Sequence, residues 1–366
     1  MKITKPTLLL DEYNCKKNIQ NMFSRAQLHQ VDLRPHFKTH QSLEIGQWFK
    51  EVGVNKITVS SLEMAIYFAE EWSDITVAFP VNILEIDTIN ALAEKIQLNL
   101  LVESIEVAQF LAEHLKFKID FFIKIDVGTN RTGIMPSKID TIESILEVSH
   151  DSDTLIFLGF LGHAGHTYKS RSKTEVLKIH QKSKNVLVDL KAIFKAQYPD
   201  LILSYGDTPS CSLADDFSGI DEIRPGNFVF YDVMQYLIGA CKIEDITVAM
   251  ACPIVAIHKN RNEIVVYGGG IHFSKESITD ENDVTIYGKV VKQEENGWSD
   301  LVPETYIKSL SQEHGVVKVL DSEINNYSIG DVLIILPIHS CMTANLMKHY
   351  LTTADRKIAM FNSTVF

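Results

Sequence analysis

The sequence predicts an α/β fold, a TIM-type (β/α)8 barrel followed by a smaller C-terminal β domain. At 366 residues the chain exceeds what one hydrophobic core usually supports, so a large domain and a smaller one are expected. Between residues 31 and 225, short β-branched or aromatic runs alternate with longer amphipathic stretches, the signature of a parallel sheet wrapped by helices. Past residue 240 the texture changes to strand-like runs separated by polar turns. The expected division is a barrel over 10–238 and a β domain over 239–366, with residues 1–9 joining the second.

Eight barrel strands are expected: Val31 to Phe37, Lys56 to Ser60, Ile75 to Phe79, Leu98 to Val102, Phe121 to Asp126, Leu155 to Leu161, Leu201 to Tyr205, and Glu222 to Arg224. Between them lie helical patterns such as Val176, Ile179, Ser183, Val186, Leu190 and Ile193, whose steps of three and four set one stripe against the sheet. A doubly wound open sheet would alternate in the same way, but neither Gly-x-Gly-x-x-Gly after the first strand nor Gly-x-x-x-x-Gly-Lys is present. Every chemically suggestive cluster instead falls past the C-terminal end of a strand, where barrels build active sites. The β domain is read as Thr247 to Ile257, Glu263 to Tyr267, Val284 to Val291, Gly315 to Leu320 and Val332 to Leu336, with Gln293 to Asp300 as an exposed loop.

Charge and cysteine usage narrow the class. A formal net charge of −12 without a basic stripe argues against nucleic acid as a partner. No apolar run approaches a membrane span, and the N-terminal apolar stretch is too short for a secretory core, so no membrane association and a cytoplasmic location are expected. Five scattered cysteines without a Cys-x-x-Cys pair argue against a disulfide framework.

The strand ends carry the chemistry. After the first comes Arg34-Pro35-His36-Phe37-Lys38-Thr39-His40, which delivers a lysine flanked by imidazoles to the barrel mouth. Such a lysine is placed for a Schiff base with pyridoxal 5'-phosphate, its amine made nucleophilic by partial burial and by protonatable His36 or His40. After the fifth strand, Gly128 and Gly133 bracket Arg131, which is read as facing the cofactor's phenolic oxygen or ring, or else as a brace for Asp126. After the sixth, Gly162-His163-Ala164-Gly165-His166-Thr167-Tyr168 suits stacking and hydrogen bonding of a planar ring, with a metal half-site as the alternative for the two histidines. After the seventh and eighth, Gly206-Asp207-Thr208-Pro209 and Arg224-Pro225-Gly226-Asn227 stand where barrels bind phosphate; Thr208 and the backbone of Gly226 and Asn227 fit that role. In the β domain, His339-Ser340-Cys341 offers imidazole and thiolate two residues apart, a pair that suits a divalent metal, zinc first.

Together these runs resemble the family of pyridoxal-phosphate enzymes that contains D-threonine aldolase and the eukaryotic-type D-serine dehydratase, built on the alanine racemase fold. Pro-His-x-Lys-Thr-His, Gly-His-Ala-Gly-His-x-Tyr, Arg-Pro-Gly-Asn and the late His339 and Cys341 carry the resemblance, which spans nearly the whole chain. It implies that Lys38 carries the cofactor, that Tyr168, Thr208, Gly226 and Asn227 contact it, and that His339 and Cys341 hold the metal. It also implies a homodimer with a neighbour's β domain near the mouth. One run departs from the relatives, which have an Asp-Ala-Gly type segment where this chain reads Tyr267-Gly268-Gly269-Gly270-Ile271-His272. No second catalytic tyrosine aligns, although Tyr267 and Tyr287 are candidates.

Chemistry orders the reactions this implies. A racemase needs two bases and no metal, whereas expelling a β-hydroxyl or cleaving beside it gains from a Lewis acid, so the metal pair argues against plain racemisation. The leading expectation is a lyase acting on a small-molecule D-β-hydroxy amino acid, D-serine to pyruvate and ammonia. Cysteine rather than aspartate at the second ligand position leans away from retro-aldol cleavage of D-threonine, the first alternative. An amino-acid racemase, a non-catalytic pyridoxal-phosphate-binding protein and a metal-only hydrolase using His163, His166, His339 and Cys341 are the other readings.

Overall fold

The computed structural model describes residues 2–280 and 282–362. Strand β1 (Thr7–Leu10) comes first, and the helix Glu12–Leu28, capped by Asp11 accepting from the Asn14 amide at 3.0 Å, leads into the barrel. The barrel strands are β2 (Asp32–Leu33), β3 (Ile57–Val59), β4 (Asp74–Pro80), β5 (Gln97–Val102), β6 (Ile119–Ile125), β7 (Leu155–Gly162), β8 (Ile202–Tyr205) and β9 (Glu222–Ile223). All pair in parallel, in the order β2-β9-β8-β7-β6-β5-β4-β3. The two edges meet through a parallel bridge between His36 and Thr58, so the expected barrel curls shut at the loop that carries Lys38.

Strand alternation decides what the barrel holds. Ala78, Leu101, Phe122, Leu161 and Ile202 form an apolar plug inside it. On the same inward parity, nearer the strand starts, Arg34 donates to Glu222 at 2.9 Å and to Asp74 at 2.6 Å, and Asn99 donates to Asp74 at 2.9 Å. From Glu222 the network climbs: Ser204 Oγ donates to Glu222 at 2.6 Å and accepts from Arg224 Nε at 2.6 Å, and Arg224 reaches the Gly162 carbonyl at 2.7 Å. A polar column therefore runs from base to mouth.

The second domain contains β10 (Val248–His258), β11 (Glu263–Tyr267), β12 (Ile278–Thr279), β13 (Thr285–Ile286), β14 (Gly288–Glu294), β15 (Gly297–Leu310), β16 (His314–Lys318), β17 (Val332–Pro337), β18 (His349–Thr352) and β19 (Lys357–Ala359). Nine strands form one sheet, β11-β16-β15-β14-β17-β10-β1-β18-β19, and β11 also pairs with β10, which closes six of them into a ring. Strand β1 pairs antiparallel with β10 and parallel with β18.

The stretch expected as a loop, Gln293 to Asp300, is a hairpin instead. Gln293 faces Trp298 and Glu294 faces Gly297, leaving only Glu295 and Asn296 to turn. Its polar side chains mark an outer sheet face, and Asn-Gly at the corner is a hairpin signal. The triple glycine has a local cause: a Cβ at Gly269 would lie 2.3 Å from the Gln312 carbonyl oxygen, so the run packs against the chain's own backbone. No helix among the described residues is long and apolar enough to cross a membrane.

Candidate active site

A cavity of about 490 Å³ opens at the C-terminal end of the barrel strands, with the β domain forming one wall. Lys38, Arg131, His163, Tyr168, Gly226, Asn227, His339 and Cys341 all line it. Thr208 stands just behind, its amide donating to the Tyr168 hydroxyl at 3.4 Å. His166 does not join them. It lies in a separate groove with Lys178 and Lys182, its Nδ1 3.2 Å from Thr129 Oγ1, so the two histidines of that run do not share a site. Tyr267 and Tyr287 are not among the described residues that border the cavity.

Lys38 sits in the tight turn after β2. Its side chain is open to the cavity but ringed by protein, and that confinement lowers its pKa, with Arg131 and Arg224 adding and Cys341 opposing. The imidazoles are not the cause, contrary to the expectation from sequence. His40 is fully buried with its ring 4.3 Å from that of Phe37, and burial holds its pKa down at about 3. His36 is also held well below its ordinary value, first by burial and then by the Lys38 charge. Both rings are therefore neutral. His36 Nδ1 accepts from the Lys38 amide at 3.4 Å, which leaves its proton on Nε2.

His163 has the opposite tautomer. Its Nδ1 lies 2.7 Å from the Gly206 carbonyl, which can only accept, so Nδ1 carries the proton. Burial keeps this ring neutral too. Arg131 forms no ion pair among the described residues, and the loop is braced by Asp126 accepting from the Gly128 and Asn130 amides at 2.9 and 3.1 Å. The alternative of Arg131 as a brace for Asp126 is not what holds this loop.

Among the described residues, Asp207 Oδ2 and Asn227 Oδ1 at the mouth have no hydrogen-bond partner, and Thr208 Oγ1 has only the Tyr168 hydroxyl near it, without a bond of good geometry. Such atoms mark a place where a polar ligand completes the hydrogen bonding. A Cβ at Gly226 would stand 2.7 Å from the His36 carbonyl oxygen, so only glycine lets this loop approach the lysine turn. Asn227 is committed elsewhere: its Nδ2 donates to Asp232 at 2.7 Å and to Ser340 Oγ at 3.0 Å, with Cys341 Sγ 3.5 Å away. Its side chain steadies the His339–Cys341 loop, which leaves its backbone for an anion.

His339 and Cys341 face the same cavity and act on each other's charge. Burial opposes charge on both, yet their mutual attraction prevails, raising the imidazole to about 9 and lowering the thiol. Thr39 Oγ1 lies 3.2 Å from the sulfur. Among the described residues no third His, Cys, Asp or Glu completes a metal-binding group. The donor chemistry of the pair fits zinc with further positions taken by water and substrate.

Sequence reasoning missed Lys124, a second buried amine on the cavity wall. Its Nζ donates to the Ile125 carbonyl at 3.1 Å, and its pKa falls to about 7, mainly through burial, with Arg224 and Arg131 adding. The signal was a lone lysine inside the apolar run Phe121-Phe122-Ile123-Lys124-Ile125. Arg224 was missed as a site residue as well; burial lowers its pKa to about 10.

Comparison with known proteins finds relatives over nearly the whole chain. The family described as alanine racemase, N-terminal domain, matches residues 10–233, and a putative serine dehydratase domain matches residues 247–353. The D-serine dehydratase of Dictyostelium discoideum is 31% identical over 379 residues, covering 94% of this chain and 92% of that protein. The D-threo-3-hydroxyaspartate dehydratase of Delftia sp. (strain HT23) is 26% identical over 350 residues, covering 92% and 91%. Among solved structures, an alanine racemase-like protein from Idiomarina loihiensis superposes with a TM-score of 0.89 at 26% identity, covering 98% of each chain.

Proposed function

This chain belongs to the alanine racemase N-terminal domain family and carries a putative serine dehydratase domain, and from that premise we propose that it is a lyase converting D-serine to pyruvate and ammonia. The observation that carries this reading is one cavity bordered by both Lys38 and the His339–Cys341 pair. We take the barrel as residues 10–238 and the β domain as 239–366 with residues 1–9, acting in the cytoplasm as a homodimer.

When bound, pyridoxal phosphate supplies an electron sink at the substrate's Cα, and a divalent metal, zinc on the donor chemistry, supplies Lewis acidity at the β-oxygen. Lys38 Nζ is the amine that would hold the cofactor's aldehyde carbon. Its lowered pKa would leave a larger neutral fraction of Nζ to take the α-proton of the substrate. Thr208, Tyr168 and the backbone of Gly226 and Asn227 would hold the phosphate, where Thr208 Oγ1, without a hydrogen bond of good geometry, fits an anion. His163, with Nε2 unprotonated, lines the cavity, and Arg131, without an ion pair among the described residues, would offer its guanidinium at the mouth to the substrate carboxylate or the ring oxygen. His339 and Cys341 would hold the metal.

Incubating the purified protein with D-serine, D-threonine, D-alanine and 3-hydroxy-D-aspartate, with and without a chelator, tests this. Keto-acid release from D-serine that a chelator abolishes is expected. Glycine and an aldehyde from D-threonine would make the protein an aldolase, metal-independent inversion of D-alanine a racemase, and cofactor binding without turnover a carrier.

A further inference from the structure

Three consecutive residues after the Lys38 α-carbon are fastened directly to the β domain. Thr39 Oγ1 lies 3.2 Å from Cys341 Sγ, the His40 carbonyl accepts from the Tyr350 hydroxyl at 2.8 Å, and the Gln41 carbonyl accepts from the Phe361 amide. Lys38 itself is reached through one side chain. Gln41 Nε2 donates one hydrogen to the Lys38 carbonyl at 3.0 Å and the other to Asn345 Oδ1 at 3.1 Å, on the helix Ser340–Met347. Asn345 Oδ1 is backed by Lys348 Nζ at 3.0 Å.

Both backbone groups of Lys38 are thereby held by side chains, the amide by His36 Nδ1 and the carbonyl by Gln41. Gln41 is 5% exposed and sits at φ 49°, a left-handed conformation that glycine or asparagine adopts more readily. Such an outlier persists where its surroundings over-determine it. At this strained position the glutamine side chain spans from the lysine carbonyl to the opposite domain, a reach one methylene longer than asparagine's.

We propose that Gln41 is a positioning residue: through Lys38 O and Asn345 Oδ1 it sets where the lysine amine stands relative to the helix that follows His339 and carries Cys341. This rests on the cofactor reading above. A side chain that only stabilised the fold would change melting behaviour and leave the chemistry of the amine alone.

The test compares the holoenzyme with Gln41→Met, which keeps the length and removes both donors, Asn345→Ala, which removes the far anchor, and Asn345→Asp, which keeps the acceptor. The visible band of the bound cofactor is titrated against pH, and kcat and KM for D-serine are measured separately. In Gln41→Met the titration midpoint should move by about half a pH unit or more and kcat should fall roughly tenfold with KM within about twofold. Asn345→Ala should move both in the same direction, and Asn345→Asp should match the parent. Unchanged midpoint and kcat in Gln41→Met, whatever happens to its melting temperature, would overturn the proposal; should that variant not fold, the same result in Asn345→Ala would do so. A parent without any cofactor band overturns the cofactor reading and this inference with it, whereas a normal parent beside a parent-like Gln41→Met overturns the inference alone.

Discussion

At the base of the barrel the Arg34 guanidinium is held between Glu222 at 2.9 Å and Asp74 at 2.6 Å, with Asn99 completing Asp74. At the mouth Lys124 has one carbonyl partner, and Arg131 and Arg224 oppose its charge while Asp126 and Glu103 only partly offset them; among the described residues Thr208 Oγ1, Asp207 Oδ2 and Asn227 Oδ1 have no hydrogen bond of good geometry. Both regions bury polar groups inside the same eight strands. Where charge is matched by charge, the polar group serves the fold; where cations crowd together and acceptor oxygens lack donors, the protein holds open a place for a polar ligand that brings both negative charge and donors. The contrast separates scaffold from site without reference to any relative.

Four substitutions press on that contrast. Lys38→Ala should have the largest effect, lowering keto-acid release from D-serine roughly 10³-fold and abolishing the cofactor band, with little change in thermal midpoint. Retained turnover would mean that the mouth is not where the reaction happens. Arg34→Met should do the reverse. It strands Glu222 and Asp74, and breaking such a buried network costs about 3–5 kcal/mol, seen as a lower denaturant midpoint, while the folded fraction keeps its kcat.

Lys124→Met should stabilise the cofactor-free protein, by roughly 1–3 kcal/mol at pH 7, because it removes a charge that burial penalises. The pH dependence has a definite sign. An unfolded chain keeps the Lys124 proton up to about 10.5 and the folded chain only up to about 7, so parental stability rises with pH across that window and is lost as pH falls through 7. The rise should shrink in Lys124→Met, and urea denaturation at pH 7 and pH 10 reads it directly. A variant less stable than the parent at pH 7 would place Lys124 with the scaffold instead. Ser204→Ala should have the smallest effect. It cuts the hydroxyl shared by Glu222 and Arg224, for about 1 kcal/mol, and a shift in kcat as well as in stability would show that base and mouth are coupled.

Much of this was legible from residue order because the barrel's strands are buried on both faces and read as dense β-branched and aromatic runs. Strands such as β6 and β7 fall within two residues of where the pattern puts them. The lysine turn and the glycine-bearing loops were legible because their residue types are hard to explain otherwise at strand ends. Strand β15, by contrast, has one face in solvent, and its polar positions disguised it as a loop. Lys124 hid for the opposite reason: a single amine within an apolar strand looks like a misplaced surface residue until closure turns it inward. The neutral state of His40 was not legible at all, since it depends on burial against Phe49 and Phe68, and that of His36 depends on the cavity wall that the fold closes around it.

Strand β1 has a consequence for how the molecule is made. Leu9 pairs with both Ala249 and Leu351, so the smaller domain's sheet joins segments from residue 9 to residue 351. Local βα units can condense while synthesis is still under way, but this sheet must wait until the segment around residue 351 has left the ribosome. Tyr350, which ties down the turn beside the reactive amine, emerges at the same late moment. Nascent chains therefore acquire a finished pocket only after residue 351 has emerged, and an early-folded barrel spends the preceding interval with its mouth uncovered.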